Sequence, residues 1–451
     1  MYPHHEVAAR SGRTRNFGFS AALSLLAIIL LPHSVSALPV FARQTGQNCV
    51  ACHAGGQYPE LTPYGRMFKL TGYTIGKRTV PLAVMAVGTY AKVSSTTDAA
   101  NGTPNQTYAK NGTPLLFSSG SLFIAGKITD NIGAFAQITY DNYASQSADG
   151  DWHGHSGADN IDVRYADRFI SASQDVIFGI SLNNNPSITD PWNTAPAWMQ
   201  YVPPGSPGSY SFVDANAPYP ATASDGGVAG LTAYMLWNNS IYGEIGIYGT
   251  ADNLLSFMTA GTPDEEKTRL RGNDNPYWRL AYTHEWGASN IMIGTSGMVA
   301  HIFDGSTAPS DGKAYQRVES IGLDTQYQYL LDPHAVTAQL AYMQLTVDDS
   351  VNGAGGNGID KPNVFRGKLS YAYLAKYGGG LSFFDQTDSK DSTQETRGLT
   401  YELFWTPVQY VRFGAQYTAY DKFGGASKNY DGFGRNASDN DTLFLYVWAA
   451  Y

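Results

Sequence analysis

Stretches of alternating polarity, joined by connections that are short and long in strict turn, restrict this chain's fold more than any other feature. In 409–418, Val411, Phe413, Ala415 and Tyr417 alternate with Arg412, Gly414, Gln416 and Thr418. Leu399, Tyr401, Leu403 and Trp405 alternate with Gly398, Thr400 and Glu402, and Trp278, Leu280 and Tyr282 with Arg279, Ala281 and Thr283. A period of two puts the apolar residues on one face of a strand and the polar residues on the other. Sixteen such strands are predicted, beginning near residues 81, 115, 131, 159, 174, 227, 240, 275, 289, 315, 334, 362, 378, 396, 409 and 440. Seven of their connections are tight turns, among them Asn238-Asn239, Trp286-Gly287-Ala288, Leu331-Asp332-Pro333 and Thr406-Pro407. Between these lie long Gly, Asn, Asp and Ser-rich loops near 94–113, 144–158, 185–225, 250–273, 303–314, 349–360, 386–395 and 422–438.

Alternation alone does not say which face is inside, but the connections do. Short on one rim and long on the other is the pattern of an antiparallel outer-membrane β-barrel, apolar outside and polar within. Composition agrees: only 15% of residues are charged, with 48 Gly, 31 Tyr and 8 Trp. No run of 18 or more apolar residues follows residue 37, so helical spans are excluded. The net charge of −9 speaks against nucleic acid as a partner. Leu443, Leu445, Val447, Ala449 and the terminal Tyr451 alternate, resembling the aromatic end signal read by the barrel-insertion machinery. A large soluble β-sandwich exported with the same leader is the competing fold.

Residues 1–37 read as a secretory signal. Arg10, Arg13 and Arg15 make its basic region, Phe17 to Leu31 its apolar region, and Val35-Ser36-Ala37 its small-residue cleavage site. Residues 38–79 are a separate segment, and 80–451 are the barrel.

The 38–79 segment carries Cys49-Val50-Ala51-Cys52-His53, with the only two cysteines of the chain. C-x-x-C-H is the spacing of covalent haem c attachment: each thiol adds to a porphyrin vinyl while the imidazole coordinates iron. A thioredoxin-like disulfide wants a βαβ context, and a structural zinc site wants four ligands; neither is present. One covalent haem c is therefore expected, with Cys49 and Cys52 as attachment points and His53 as proximal ligand. Downstream, Thr62 and Pro63 read as the cap and first residue of a short helix that places Tyr64, Met67, Phe68 and Thr71 on one face. Met67 is the nearest candidate for distal ligand, packing against the porphyrin being its alternative role. Met85 on the first strand, a lumenal side chain or five-coordination are the other possibilities.

Several residues invite weaker readings. Arg279, Glu244, Glu402 and Arg412 are expected to face the lumen. His153 and His155, with Asp149, Asp151, Asp159 and Asp162, suggest a divalent-ion dock in the second outer loop, or merely a solvated loop. His284 falls among girdle aromatics. The proline- and aromatic-rich stretch 185–226 resembles the loop that narrows general porins, or else forms a surface lid. No hydrolase triad or phosphate loop stands out.

Phe41-Ala42-Arg43, the haem motif, Tyr58-Pro59-Glu60-Leu61, Tyr64-Gly65-Arg66 and Leu70-Thr71-Gly72-Tyr73, followed by a barrel of this size, resemble the fused cytochrome-porins of iron-oxidising bacteria. In motif the resemblance covers about residues 38–75; beyond that it is architectural. It implies a one-haem conduit in the outer membrane, with the haem segment at the periplasmic mouth or in the lumen. Electrons would come from extracellular Fe(II) or another reductant and pass to a periplasmic cytochrome or copper protein. The alternatives are a porin-type channel with a structural or sensory haem plug, and a conduit to an extracellular acceptor.

Overall fold

The computed structural model describes residues 40–56, 60–94, 114–146, 152–193, 228–261, 269–303, 315–348, 358–387 and 392–451. The predicted leader lies outside them. Leu38–Tyr451 form one compact unit, in which sixteen antiparallel strands close into a barrel.

In chain order the strands are β1 (Leu82–Val93), β2 (Pro114–Lys127), β3 (Ile132–Gln146), β4 (Trp152–Ile170), β5 (Asp175–Asn183), β6 (Val228–Trp237), β7 (Ile241–Thr250) and β8 (Asn275–Trp286). They continue with β9 (Ser289–Ile302), β10 (Gln316–Leu331), β11 (His334–Asp348), β12 (Asn363–Tyr373), β13 (Tyr377–Thr387), β14 (Thr396–Val408), β15 (Val411–Lys422) and β16 (Thr442–Ala450). A two-residue piece, Ile359–Asp360, extends the edge of β11 ahead of β12. Each strand pairs with its sequence neighbours, and β1 with β16 from Met85↔Ala450 to Val93↔Thr442 closes the circle. No open edge remains.

Polarity sorts by side as the alternation requires. On β6, Leu231, Met235 and Trp237 are exposed outward, while Thr232, Tyr234 and Leu236 are buried inward. Ile245, Leu280, Ile293, Leu323 and Leu403 likewise stand outside, over half of each exposed. An apolar outer belt over a polar interior is stable only against lipid. Near the short-turn rim this belt ends in aromatics such as Trp286, Tyr327, Tyr371 and Trp405, with His284 stacked on Trp286 at 5.6 Å. The soluble sandwich is not the fold that forms.

One strand begins earlier than its sequence suggests. β4 starts at Trp152, and His153 and His155 sit opposite Ser145 and Asp141 as ladder residues, not in a 144–158 loop. Gly154, Ser156 and Gly157 interrupt the apolar alternation there, and pairing with β3 resumes beyond a register shift at Gly154.

Candidate functional site: a haem-motif segment locked in the barrel lumen

Residues ahead of β1 fold as α1 (Val40–Thr45), α2 (Cys49–Cys52) and α3 (Pro63–Leu70), inside the barrel. The short helices form where local hydrogen bonds nucleate them. Thr62 caps α3, its Oγ1 accepting from the Gly65 amide at 3.1 Å, with Pro63 as the first helical residue. The chain doubles back between the helices: His53 bridges Leu61, and the Thr62 amide donates to the Cys52 carbonyl at 2.9 Å. Gly65 makes this turn possible, because a Cβ there would lie 2.2 Å from the Cys52 carbonyl oxygen. Gly55, at φ +60°, passes as tightly against the wall: a Cβ would lie 2.6 Å from the Cβ of Ala372 on β12.

Charged side chains then lock the segment to the wall. Glu60 pairs with Lys368 of β12. Burial alone would raise this carboxyl, but the Lys368 ammonium overrides it and holds the pKa below the usual value. Arg66, 4% exposed, donates to Asn290 at 3.1 Å, Gln328 at 3.2 Å and the Leu61 carbonyl at 3.1 Å, and pairs with Glu285 at 3.4 Å. Burial pushes its pKa down to about 10. Lys69 donates to the Asp190 carbonyl at 2.9 Å, and burial pushes it down to about 8. The Tyr73 hydroxyl donates to Asp162 at 2.5 Å; Asp162 also binds Arg164 at 2.6 Å and Ser181 at 2.7 Å.

The root of the third long loop joins this lock. Asn185–Asn193 turns into the lumen, and Trp192 is 1% exposed, with Arg66 and Arg279 each 5.8 Å from its ring centre. Arg279 spans Asp190 at 3.1 Å and Asp324 at 2.8 Å. The first part of the predicted constriction therefore does enter the lumen; residues 194–226 lie outside those described. Arg279, Glu244 and Arg412 are buried on the inner face, and Glu402 is reached there by Tyr446 at 2.7 Å.

On the opposite side of α2 and α3 the wall stands back. Cys49, Cys52 and His53 line a cavity of about 660 Å³, with Phe41 and Phe68 of the same segment and Met85, Phe123 and Trp448 of the barrel wall. This volume falls in the range of roughly 300–1,000 Å³ for cofactor sites, and a mostly apolar wall with a few polar groups is what such sites present. Burial pushes the His53 imidazole down to about 4 against the opposing pull of Glu60, so it stays neutral with a lone pair available for a metal. Burial raises the Cys52 thiol to about 11, Cys49 adding to the rise. The residues fit a covalently tethered haem.

The other candidate residues are dispersed. Met67 does not face the cavity: it packs on the other side of α3, against the cluster of Leu70, Ile177, Trp192, Tyr234 and Tyr242. Of the dock candidates, His153 and His155 are exposed on β4. Asp162 is buried in the lumen with Arg164, and no group of three metal-ligating side chains occurs among the described residues. Asp149 and Asp151 lie outside them. Sequence reading also passed over the lock of Arg66, Lys69, Tyr73, Asp162 and Arg164. Two cations on one short helix, Arg66 and Lys69, were its only visible sign.

No family model matches the chain, and no curated protein matches it. Solved outer-membrane proteins are similar to it at low identity. Salmonella typhi OmpF in complex with daunomycin shows 13% identity and a TM-score of 0.47, over 82% of this chain and 97% of that one. The outer membrane channel DcaP of Acinetobacter baumannii shows 12% and 0.43, over 82% and 96%. The anion-selective porin of Comamonas acidovorans shows 12% and 0.43, over 83% and 99%. By its own strand order, connections and outer belt, the molecule is an outer-membrane porin-like barrel of sixteen strands.

Proposed function

We propose that this protein is an outer-membrane electron-transfer protein holding one haem c on Cys49 and Cys52, with His53 as proximal ligand. It takes single electrons from an extracellular reductant, Fe(II) foremost, for delivery to a soluble periplasmic cytochrome or copper protein. One observation carries the reading: both thiols and the imidazole of a C-x-x-C-H motif line the same apolar cavity of cofactor size, enclosed by a membrane barrel. The haem, when bound, supplies one-electron chemistry. The protein residues supply the rest: the thiols tether, His53 coordinates, and Glu60, Arg66 and Lys69 hold the segment so that its cavity faces β1, β2, β3 and β16.

Covalent haem should survive denaturing electrophoresis and disappear in Cys49→Ala/Cys52→Ala. Stopped-flow mixing of the oxidised protein with Fe(II) should reduce it rapidly. Reduction by dithionite but not by Fe(II) would remove iron as the donor. A protein isolated without covalent haem from a host able to attach it would remove the whole reading.

A porin-type channel with a haem plug is the second reading, favoured by the sixteen-strand barrel with long loops on one rim. It is distinguished by planar-bilayer recording: steady solute conductance through the intact protein supports the channel, and a closed barrel supports the electron carrier.

A further inference from the structure

Resting on the haem reading above, we propose that the sixth iron ligand is the thioether of Met85, supplied by the first strand of the barrel wall and not by the haem segment. The cavity allows elimination. Among the described histidines only His53 lines it, and among the described methionines only Met85 does. Met67 and Met292 belong to the cluster around Trp192, and Met298 and Met343 to the cluster beneath β8 to β11. Met258 packs near Ile161, and Met235 faces outward. Three other cavity-lining groups are committed elsewhere: Lys69 to the Asp190 carbonyl, Tyr73 to Asp162, and Asp159, which accepts from Thr139 and Asn160.

Met85 is also placed for the task. The Cys49 amide donates to Gln409 at 3.2 Å in the β14–β15 turn. The adjacent Tyr410 carbonyl accepts from the Ala450 amide at 2.9 Å, and Ala450 is the register partner of Met85. Two hydrogen bonds and one strand pairing thus link the tether to the ligand strand. The sulfur has a polar neighbour as well: the Trp448 indole N–H points at Met85 Sδ. A ligand held by an outer partner loses rotational freedom, and a donor to sulfur draws electron density from it. Thioether ligation opposite His raises the reduction potential, as an acceptor of electrons from Fe(II) requires.

The test uses the full-length, haem-loaded protein in detergent. Covalent haem is confirmed first on a denaturing gel; its absence there defeats the haem reading, whatever Met85 does. With haem present, the ferric protein should show the near-infrared sulfur-to-iron charge-transfer band. Met85→Ala should abolish that band and lower the midpoint potential, while Met67→Leu should leave both unchanged. Trp448→Phe should keep the band and shift the potential downward by less than Met85→Ala does. A wild-type spectrum without the band, its persistence in Met85→Ala, or its loss in Met67→Leu overturns the assignment. Should Met85→Ala fail to fold, Met85→His keeps the test open: the band must vanish and a bis-imidazole spectrum replace it, and any other spectrum counts against Met85.

Discussion

The two sides of the lumen are built to opposite rules. Toward β4 to β10 the inner wall is crowded and ionic: Arg164, Arg279, Asp162 and Asp324 are each 5% exposed or less and knit to Tyr73, Lys69 and the loop root at Asp190. Toward β1, β2, β3 and β16 the wall offers uncharged and often small residues, Ala83, Val87, Ser119, Ser121 and Ala450 beside Gln137 and Trp448, and leaves space. Small and apolar residues leave a void only if something else fixes the segment's position, because an unsupported helix would collapse into it. The ionic wall is therefore what keeps the cavity open. Buried ion pairs are a poor source of net stability, but removing one partner is costly, which suits a device that specifies one arrangement.

The sharpest way to break the comparison is Arg279→Leu, which removes the buried cation that Asp190 and Asp324 share. A loss of about 3–5 kcal/mol is expected, measured as a lower heat-modifiability transition on gels. Next comes Gly65→Ala. Its Cβ meets backbone at 2.2 Å, which cannot swing away; overpacking of about 1–3 kcal/mol follows, seen as protease cleavage within 40–79 while the barrel stays intact.

Lys69 gives a pH signature of the crowded side. Burial sets its folded pKa at about 8, below the usual 10.5, among Arg164, Asp162, Asp190 and Glu244. The unfolded segment then holds more protons between those values, so docking stability is flat below pH 8 and rises from about 8 to about 10.5. The slope is at most about 1.4 kcal/mol per pH unit. The urea concentration that exposes the segment to protease should climb over that window, and Lys69→Met should flatten the climb. Smallest in stability, yet most telling for the open side, is Ser119→Trp. Fold stability should change little, because the new side chain enters open space, while haem incorporation, read by gel staining, falls away because the space is filled.

The strands were legible because period-two alternation is a local property, and the cap of α3 because Thr62 and Pro63 carry it in adjacent residues. β4 was legible only in part: backbone pairing holds it through Gly157 and picks up again beyond the irregularity at Gly154, where side-chain pattern says nothing. The rotation of α3 was not legible at all. Whether Met67 or Phe68 faces the cavity depends on where Arg66 finds Asn290 and Gln328, more than two hundred residues away. Those partners also decide that the cavity opens toward Met85. Chemistry-bearing spacing such as Cys49 to His53 survives in the sequence, whereas the side from which a distant strand answers it does not.

The seam between β1 and β16 sets a clock. Met85 and Val87 come from the first strand, Trp448 and Ala450 from the last, and they become neighbours only when the circle shuts. The part of the chain that leaves the ribosome early thus carries an unfinished chamber that the final residues complete, so a barrel stalled one strand short has tethering thiols facing a wall open along one side, where Trp448 and Ala450 belong.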